Sequence, residues 1–306
     1  MKAVHWAQMG ESTFVLGMRI LLAVYRTLGR GPFRLVLYPV VCYYRLTRRV
    51  AREASMQYLQ RVQAAQGALG GCPGWRHGVR HFLAFGDTLL DKILAMSGRD
   101  RSAELRFAEV DGVLQLIEQG RGAVFVTAHM GCLEMCQAAV DRTGRLRLTV
   151  LVHTAHAEQF NRVLGRLDPA GRVRLLQVTD ITPGTAVMLA ERVAAGEFVA
   201  IAGDRVPVAG GRTVRARFLG HEADWPVGPY VLAALLRCPL YLMACLREGD
   251  GYAVHFDCLA EQVVLPRQSR DAVFAELAGR FAQRLEGLLA RSPYAWFNFF
   301  PFWGSR

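Results

Sequence analysis

The chain has 306 residues, a formal net charge of +11 and a hydrophobic content of 52%. That length buries a substantial core in one large domain or two small ones, and the apolar content is high for a soluble protein yet low for a polytopic one. The basic balance points to an anionic partner such as a nucleic acid, an anionic bilayer face or a phosphorylated substrate, and arginine carries it, since Lys2 and Lys92 are the only lysines.

The N-terminal part holds two apolar runs, "FVLGMRILLAVY" (Phe14 to Tyr25) and "FRLVLYPVVCYY" (Phe33 to Tyr44), separated by "GRGP" (Gly29 to Pro32). Each falls short of the roughly 20 residues that a spanning helix needs, and the Gly-Pro break argues against one continuous span. Glu11 precedes the first run, Arg19 interrupts it and no small-residue cleavage site follows, so a signal peptide is not expected. Arginines 19, 26, 30, 34, 45, 48, 49 and 52 rim both runs. Apolar segments with a basic rim read as an interfacial anchor; an ordinary pair of core helices with solvated arginines, or a single tilted span, would carry the same pattern.

Residues 1 to 100 show apolar positions at helical spacing, and "GALGGCPG" (Gly67 to Gly74) divides them into two helical pieces. The texture then changes. "LRFAEV" leads to a helix near 111–119, "AVFVTA" to one near 132–142, "LRLTVLV" to one near 157–167, "VRLLQV" to one near 184–195, and "FVAIAG" to a loop. A helix near 228–237 follows. "PLYLMACLRE" and "GYAVHFDCL" form a hairpin turning at "GDG" (Gly249 to Gly251), and a last helix covers about 270–290. Alternating apolar strands and amphipathic helices predict an α/β fold with a mixed, centrally parallel sheet flanked by helices. We read 1–100 as a helical, membrane-proximal region and 101–306 as an α/β domain, packed as one unit.

The cysteines, at 42, 72, 132, 136, 238, 245 and 258, form no C-x-x-C pair. Neither a zinc ribbon nor a disulfide framework is signalled, and reduced thiols facing the cytosol are the simplest reading. Nucleic-acid binding would explain the charge, but not the interleaved apolar N-terminus, and no recognisable binding motif supports it.

Reactive groups in open α/β sheets collect beyond the carboxyl ends of strands, and "VFVTAHMGCLEM" puts His129 at such an end. Gly131 lets the chain turn, and Glu134 falls in the first turn of the next helix. With a turn between them the carboxylate can accept a hydrogen bond from one imidazole nitrogen, leaving the other as a general base. No serine or cysteine stands in a nucleophile-elbow pattern, so the base would activate a hydroxyl brought by the substrate. Asp204 and Arg205, just past "FVAIAG", reach the same sheet edge; an ion pair closing a loop is the plainer reading of them. Arg212, Arg215 and Arg217 alternate along a strand and read as its solvated face. Gly228 and Pro229 open a helix beside the pocket. His153 and His156 invite a metal reading, with His129 and Asp204, as a metal-dependent hydrolase, yet no third ligand is spaced to complete their site.

The His129–Glu134 spacing at the end of "VFVTAH" resembles the H-x4-D/E motif of the lysophospholipid acyltransferase superfamily, and within it the branch of the late acyltransferases of lipid A biosynthesis. "GDRV" (Gly203 to Val206), "VRARFLGHEADWPVGPYVLAALLRCPLY" (Val214 to Tyr241) and the N-terminal helices agree with that branch in the same order. The closing "SPYAWFNFFPFW" resembles the acyltransferase-like proteins found beside aryl polyene pathways more than the lipid A enzymes, and "VLVHTAHAEQFNRVL" (Val150 to Leu164) stands where the family has an arginine–proline pair. The resemblance implies a membrane-associated acyltransferase at the cytoplasmic face of a bacterial inner membrane; a non-catalytic lipid-binding protein that kept the fold is the alternative. Its donor would be an acyl carrier protein or coenzyme A thioester, its acceptor a lipid-like hydroxyl, and it would need no metal or prosthetic group. It implies His129 as general base and Glu134 as its orienting partner. Backbone N–H groups at Gly131 and Cys132 would hold the oxyanion, and Asp204, Arg205, Arg162 and Gly228 would make substrate contacts.

Overall fold

The computed structural model describes residues 21–96, 105–133, 135, 147–152, 173–177, 183–206, 211–249 and 251–304. Residues 21–28 are helical. Gly29, at φ 83°, breaks that helix and caps α1 (Arg30–Thr47), with Pro32 in the first turn, a position where proline loses no helical hydrogen bond. Arg48 separates α1 from α2 (Arg49–Gln66), and Gly67 closes α2 in the left-handed conformation that glycine adopts without strain. After the glycine-rich break comes α3 (Trp75–Met96). The first of the two expected helical pieces is thus itself divided, at Gly29 and Arg48.

One face of α1 (Phe33, Leu37, Val41) is buried, in a cluster with Val79, Phe82, Leu90 and Leu94 of α3. The other face leaves Leu35, Tyr38, Tyr43 and Leu46 exposed, at 76, 50, 68 and 62% of their accessible surface. Among the described residues no helix is long and apolar enough to cross a membrane.

The remainder runs β1 (Leu105–Ala108), α4 (Asp111–Glu118), β2 (Val124–Thr127), β3 (Leu148–Val152), β4 (Val173–Gln177), α5 (Pro183–Ala194), β5 (Phe198–Ala202), β6 (Thr213–Phe218), β7 (His221–Pro226), α6 (Gly228–Leu236), β8 (Leu240–Glu248), β9 (Gly251–Ala260) and α7 (Arg270–Arg291). The helices expected near 132–142 and 157–167 fall almost wholly outside the described residues. Seven strands form one sheet in the order β1-β9-β8-β2-β5-β3-β4. Every neighbouring pair is parallel except the β8–β9 hairpin. The fold is therefore α/β with a mixed, centrally parallel sheet. Its central strand β2 is buried on both faces, as parallel strands covered by helices must be. Val124 and Val126 point into the core that includes Phe274, Phe281 and Leu285 of α7, while Phe125 faces the opposite core with Val113 and Leu116 of α4.

A second hairpin pairs β6 with β7. Leu219 and Gly220, at φ 51° and 79°, make its two-residue turn, and two left-handed central residues match the natural strand twist. On β6, Arg215 and Arg217 lie on the exposed face and pair with Asp224 and Glu222 of β7.

Candidate active site

Parallel pairing fixes which residues meet at the carboxyl ends of β2 and β5. Thr127 lies opposite Ala202 in the register. The ladder extends one step further, where the Gly203 N–H donates to the Thr127 carbonyl at 2.8 Å. Counting two residues beyond each strand end therefore sets His129 beside Asp204. Gly203 is needed at this crossing: a Cβ there would lie 2.4 Å from Val126 Cγ2.

His129 Nδ1 and Asp204 Oδ1 are 2.8 Å apart, and Asp204 Oδ2 accepts the His129 backbone N–H at 2.8 Å. The same Oδ2 accepts the Trp296 indole N–H at 2.9 Å. Asp204 is 2% exposed, whereas the His129 side chain keeps 37% of its surface open. Burial alone would raise the Asp204 carboxyl, but the charge and hydrogen bond of His129, the Arg205 guanidinium and the Trp296 N–H outweigh it and hold the group below the usual carboxylate range. For His129, burial and then the Arg205 charge push the imidazole below its ordinary value. Asp204 recovers part of that, and Lys92 adds a further downward push. At neutral pH the pair is thus carboxylate and neutral imidazole. A carboxylate only accepts, so Nδ1 carries the proton and Nε2 presents a lone pair.

Trp296 is placed by the helical N-terminal region. Tyr58 of α2 donates to the Pro293 carbonyl at 2.8 Å, and His81 Nε2 of α3 meets the Trp296 carbonyl at 2.9 Å. The carbonyl accepts, so His81 Nε2 carries a proton and Nδ1 accepts from the Ser55 hydroxyl at 2.8 Å. Burial pushes the His81 imidazole down to about 4. This Ser55–His81 pair is wholly buried and tethers the C-terminal segment. Trp296, Phe297, Phe302 and Trp303 of the closing aromatic segment are buried and belong to the core.

Gly131 sits at φ 59°, and a Cβ there would fall 1.9 Å from the Cys245 carbonyl oxygen of β8. Its N–H donates to the Ala295 carbonyl at 2.9 Å, and the Cys132 N–H donates to the Cys245 carbonyl at 2.9 Å. The expectation that these two N–H groups hold an oxyanion is therefore corrected: both are consumed in fastening the His129 turn to β8 and the C-terminal segment. Gly131→Ala combines a left-handed φ with a backbone collision, and we expect it to lose more than about 3 kcal/mol of stability. Thermal unfolding of the variant measures this, and an unchanged midpoint would mean that the turn can relax.

Of the other expected site residues, Asp204 lies behind the imidazole with both oxygens engaged by His129 and Trp296. Arg205 lies beside it with its guanidinium 5.5 Å from the Phe300 ring centroid. Gly228 is exposed at the start of α6, directly after β7. Glu134, Arg162, His153 and His156 lie outside the described residues. Among the described residues no three His, Cys, Asp or Glu side chains gather as a metal site.

The sequence reading missed Trp296 and Lys92 as neighbours of the pair, and it missed Asp204 as the group bonded to His129. One signal for Asp204 was available: His129 follows "VFVT" by two residues and Asp204 follows "FVAIA" by two. The arrangement can take a proton at Nε2, hold the resulting imidazolium against a buried carboxylate, and admit an anionic group near Arg205 and Lys92.

Residues 88–305 match the family model described as bacterial lipid A biosynthesis acyltransferase. The match starts within α3 and takes in the whole seven-stranded sheet, His129, Asp204 and Trp296. No curated protein matches the chain.

Proposed function

Because the chain belongs to the bacterial lipid A biosynthesis acyltransferase family, we propose that it moves an acyl chain from a thioester to the hydroxyl of a lipid-like acceptor, with His129 as general base and Asp204 as the group that orients it. The observation that carries this reading is the 2.8 Å contact between His129 Nδ1 and Asp204 Oδ1 at adjacent parallel strand ends. Nε2 takes the acceptor hydroxyl proton as the oxygen attacks the thioester carbonyl. The oxyanion collapses, the C–S bond breaks, and the departing thiolate takes the proton from the imidazolium. An ester and a free thiol result. Asp204 holds the correct tautomer and offsets the charge that forms on the ring. Glu134, first in line for this role by sequence, cedes it to Asp204 in this mechanism.

The donor is an acyl carrier protein or coenzyme A thioester. Both carry a phosphate on the arm that ends in the thiol, and Arg205 and Lys92 supply cationic charge suited to it. Arg162 remains a candidate for an acceptor headgroup. The enzyme works at the cytoplasmic face of a bacterial inner membrane, held there peripherally. The support for this is the exposed stripe of α1 (Leu35, Tyr38, Tyr43, Leu46), next to Arg48 and Arg49 at the end of the helix, in a chain of net charge +11. Each apolar anchor inserted contributes about 1.5–3 kcal/mol. Leu35→Glu with Tyr43→Glu should therefore reduce cosedimentation with anionic phospholipid vesicles at least about tenfold. Unchanged partition would place the anchor elsewhere.

Activity is tested with purified enzyme, a long-chain acyl thioester presented on acyl carrier protein or on coenzyme A, and a bacterial membrane lipid extract. Thiol release that depends on the extract, with a new acylated lipid, supports the reading. Thioester hydrolysis with no acylated product would replace it with a hydrolase.

A further inference from the structure

Asp91 of α3 is buried, and groups from three other elements converge on it. Arg30, at the start of α1, donates to its Oδ1, and the Tyr252 hydroxyl of β9 donates to its Oδ2. Arg247 of β8, opposite Tyr252 in the register, stands 3.7 Å from the same Oδ2, too far for a hydrogen bond. Arg30 and Tyr252 suffice to lock the helix to the sheet. Arg247 brings a second guanidinium to a single carboxylate. Arg30 keeps 30% of its side-chain surface open and Arg247 keeps 36%. The first turn of α1 carries no acid, so the positive end of that helix adds to the same field. The result is a half-exposed excess of positive charge where α1, α3 and the β8–β9 hairpin meet.

This junction adjoins the His129 turn. Cys245, two residues before Arg247 on β8, bridges Gly131, and its carbonyl accepts the Cys132 N–H at 2.9 Å. Lys92, next to Asp91, is near enough for its charge to act on His129. On its other side the junction continues into α1, whose exposed stripe of Leu35, Tyr38, Tyr43 and Leu46 is the expected bilayer contact. A helix lying at the interface carries its arginines at the depth of the lipid phosphates. We propose that Arg30 and Arg247 bind the phosphate of a lipid headgroup, so that the acceptor of the acyl chain is a phosphate-bearing lipid held beside the His129 turn. This rests on the acyl-transfer reading above. Guanidinium forks match phosphate oxygens and stay charged at every working pH. Asp91 holds the Arg30 guanidinium in place and leaves the N–H groups of Arg247 for the ligand.

The test is calorimetric binding to the full-length chain. The probes are dihexanoyl phosphatidic acid, its phosphate-free counterpart dihexanoylglycerol, and phosphopantetheine, which carries the phosphate of the donor arm. Wild type should bind the phosphatidic acid and not dihexanoylglycerol. Arg247→Gln and Arg30→Gln should each weaken that binding about ten- to a hundredfold, the loss of a hydrogen bond between charged groups, and leave phosphopantetheine unaffected. Asp91→Asn separates a ligand site from a structural lock. It removes the competing carboxylate while its amide oxygen still accepts, so phosphatidic acid should bind as tightly as to wild type or more tightly. Binding that falls in Asp91→Asn together with the unfolding midpoint would mark a lock only and overturn the proposal. So would unchanged binding in Arg247→Gln, or a loss confined to phosphopantetheine, which would assign the arginines to the donor. If acyl transfer occurs and requires His129 while this binding is absent, the inference fails alone. If the binding holds and no donor yields acyl transfer, the reading beneath it fails.

Discussion

His129→Ala is expected to lower acyl transfer by at least about 10²- to 10⁴-fold, the contribution of a positioned general base. The alanine variant also leaves the Asp204 carboxylate buried with one donor fewer, so a stability loss of about 1–3 kcal/mol accompanies it. His129→Gln separates the two effects, because a carboxamide can still donate to Asp204 but cannot take a proton from the acceptor. Equal loss of activity in both variants, with the fold better kept in glutamine, is the expected pattern. The pH dependence follows from the same ring. Burial and Arg205 lower the proton affinity of His129, so the neutral, active form dominates above the depressed value and is lost as pH falls through it. Activity should be flat around neutrality and decline only below the ordinary imidazole range. A decline centred at or above that range would contradict the assigned environment.

Asp204→Asn is expected to cost about 10³- to 10⁴-fold in kcat, the size of effect seen when an orienting carboxylate becomes an amide and the imidazole takes the wrong tautomer. The asparagine oxygen can still accept from the His129 backbone and from Trp296, so the fold should survive. The carboxylate raises the proton affinity of His129, and its removal should shift the acid limb of the residual activity to lower pH. Glu134→Gln supplies the contrast. Loss of activity there, with Asp204→Asn within about tenfold of wild type, would return the orienting role to Glu134.

Much of the fold was legible because the central strands are buried on both faces and read as unbroken apolar runs. "VFVT", "FVAIA" and "LYLMAC" became β2, β5 and β8 for that reason. β7 was not legible. "HEADWP" carries two acids and a proline, and what makes it a strand is tertiary: Trp225 is wholly buried and its indole N–H donates to the Ala216 carbonyl on the facing strand at 3.2 Å. His129 was found because a histidine ending an apolar strand is conspicuous. Its bond to Asp204 was not, since it depends on which strands are neighbours, and the two are 75 positions apart. Local spacing favoured Glu134, five positions away, while strand register brings Asp204 to the ring. Trp296 hid among aromatics whose common reason is packing, and only the position of its indole N–H sets it apart. The oxyanion donors expected at Gly131 and Cys132 failed for a similar reason: a backbone N–H at a turn looks free in sequence, and nothing local reveals that Ala295 and Cys245 lie opposite.

The central claim is that a buried carboxylate fixes His129 with its proton on Nδ1 and its lone pair on Nε2. Nitrogen-15 NMR of ring-labelled histidine, assigned by comparison with His129→Gln, reads that state directly. At neutral pH the account predicts a neutral ring, protonated at Nδ1 and bare at Nε2, that becomes an imidazolium only below the ordinary histidine range. A ring protonated at Nε2, or doubly protonated at neutral pH, would contradict it.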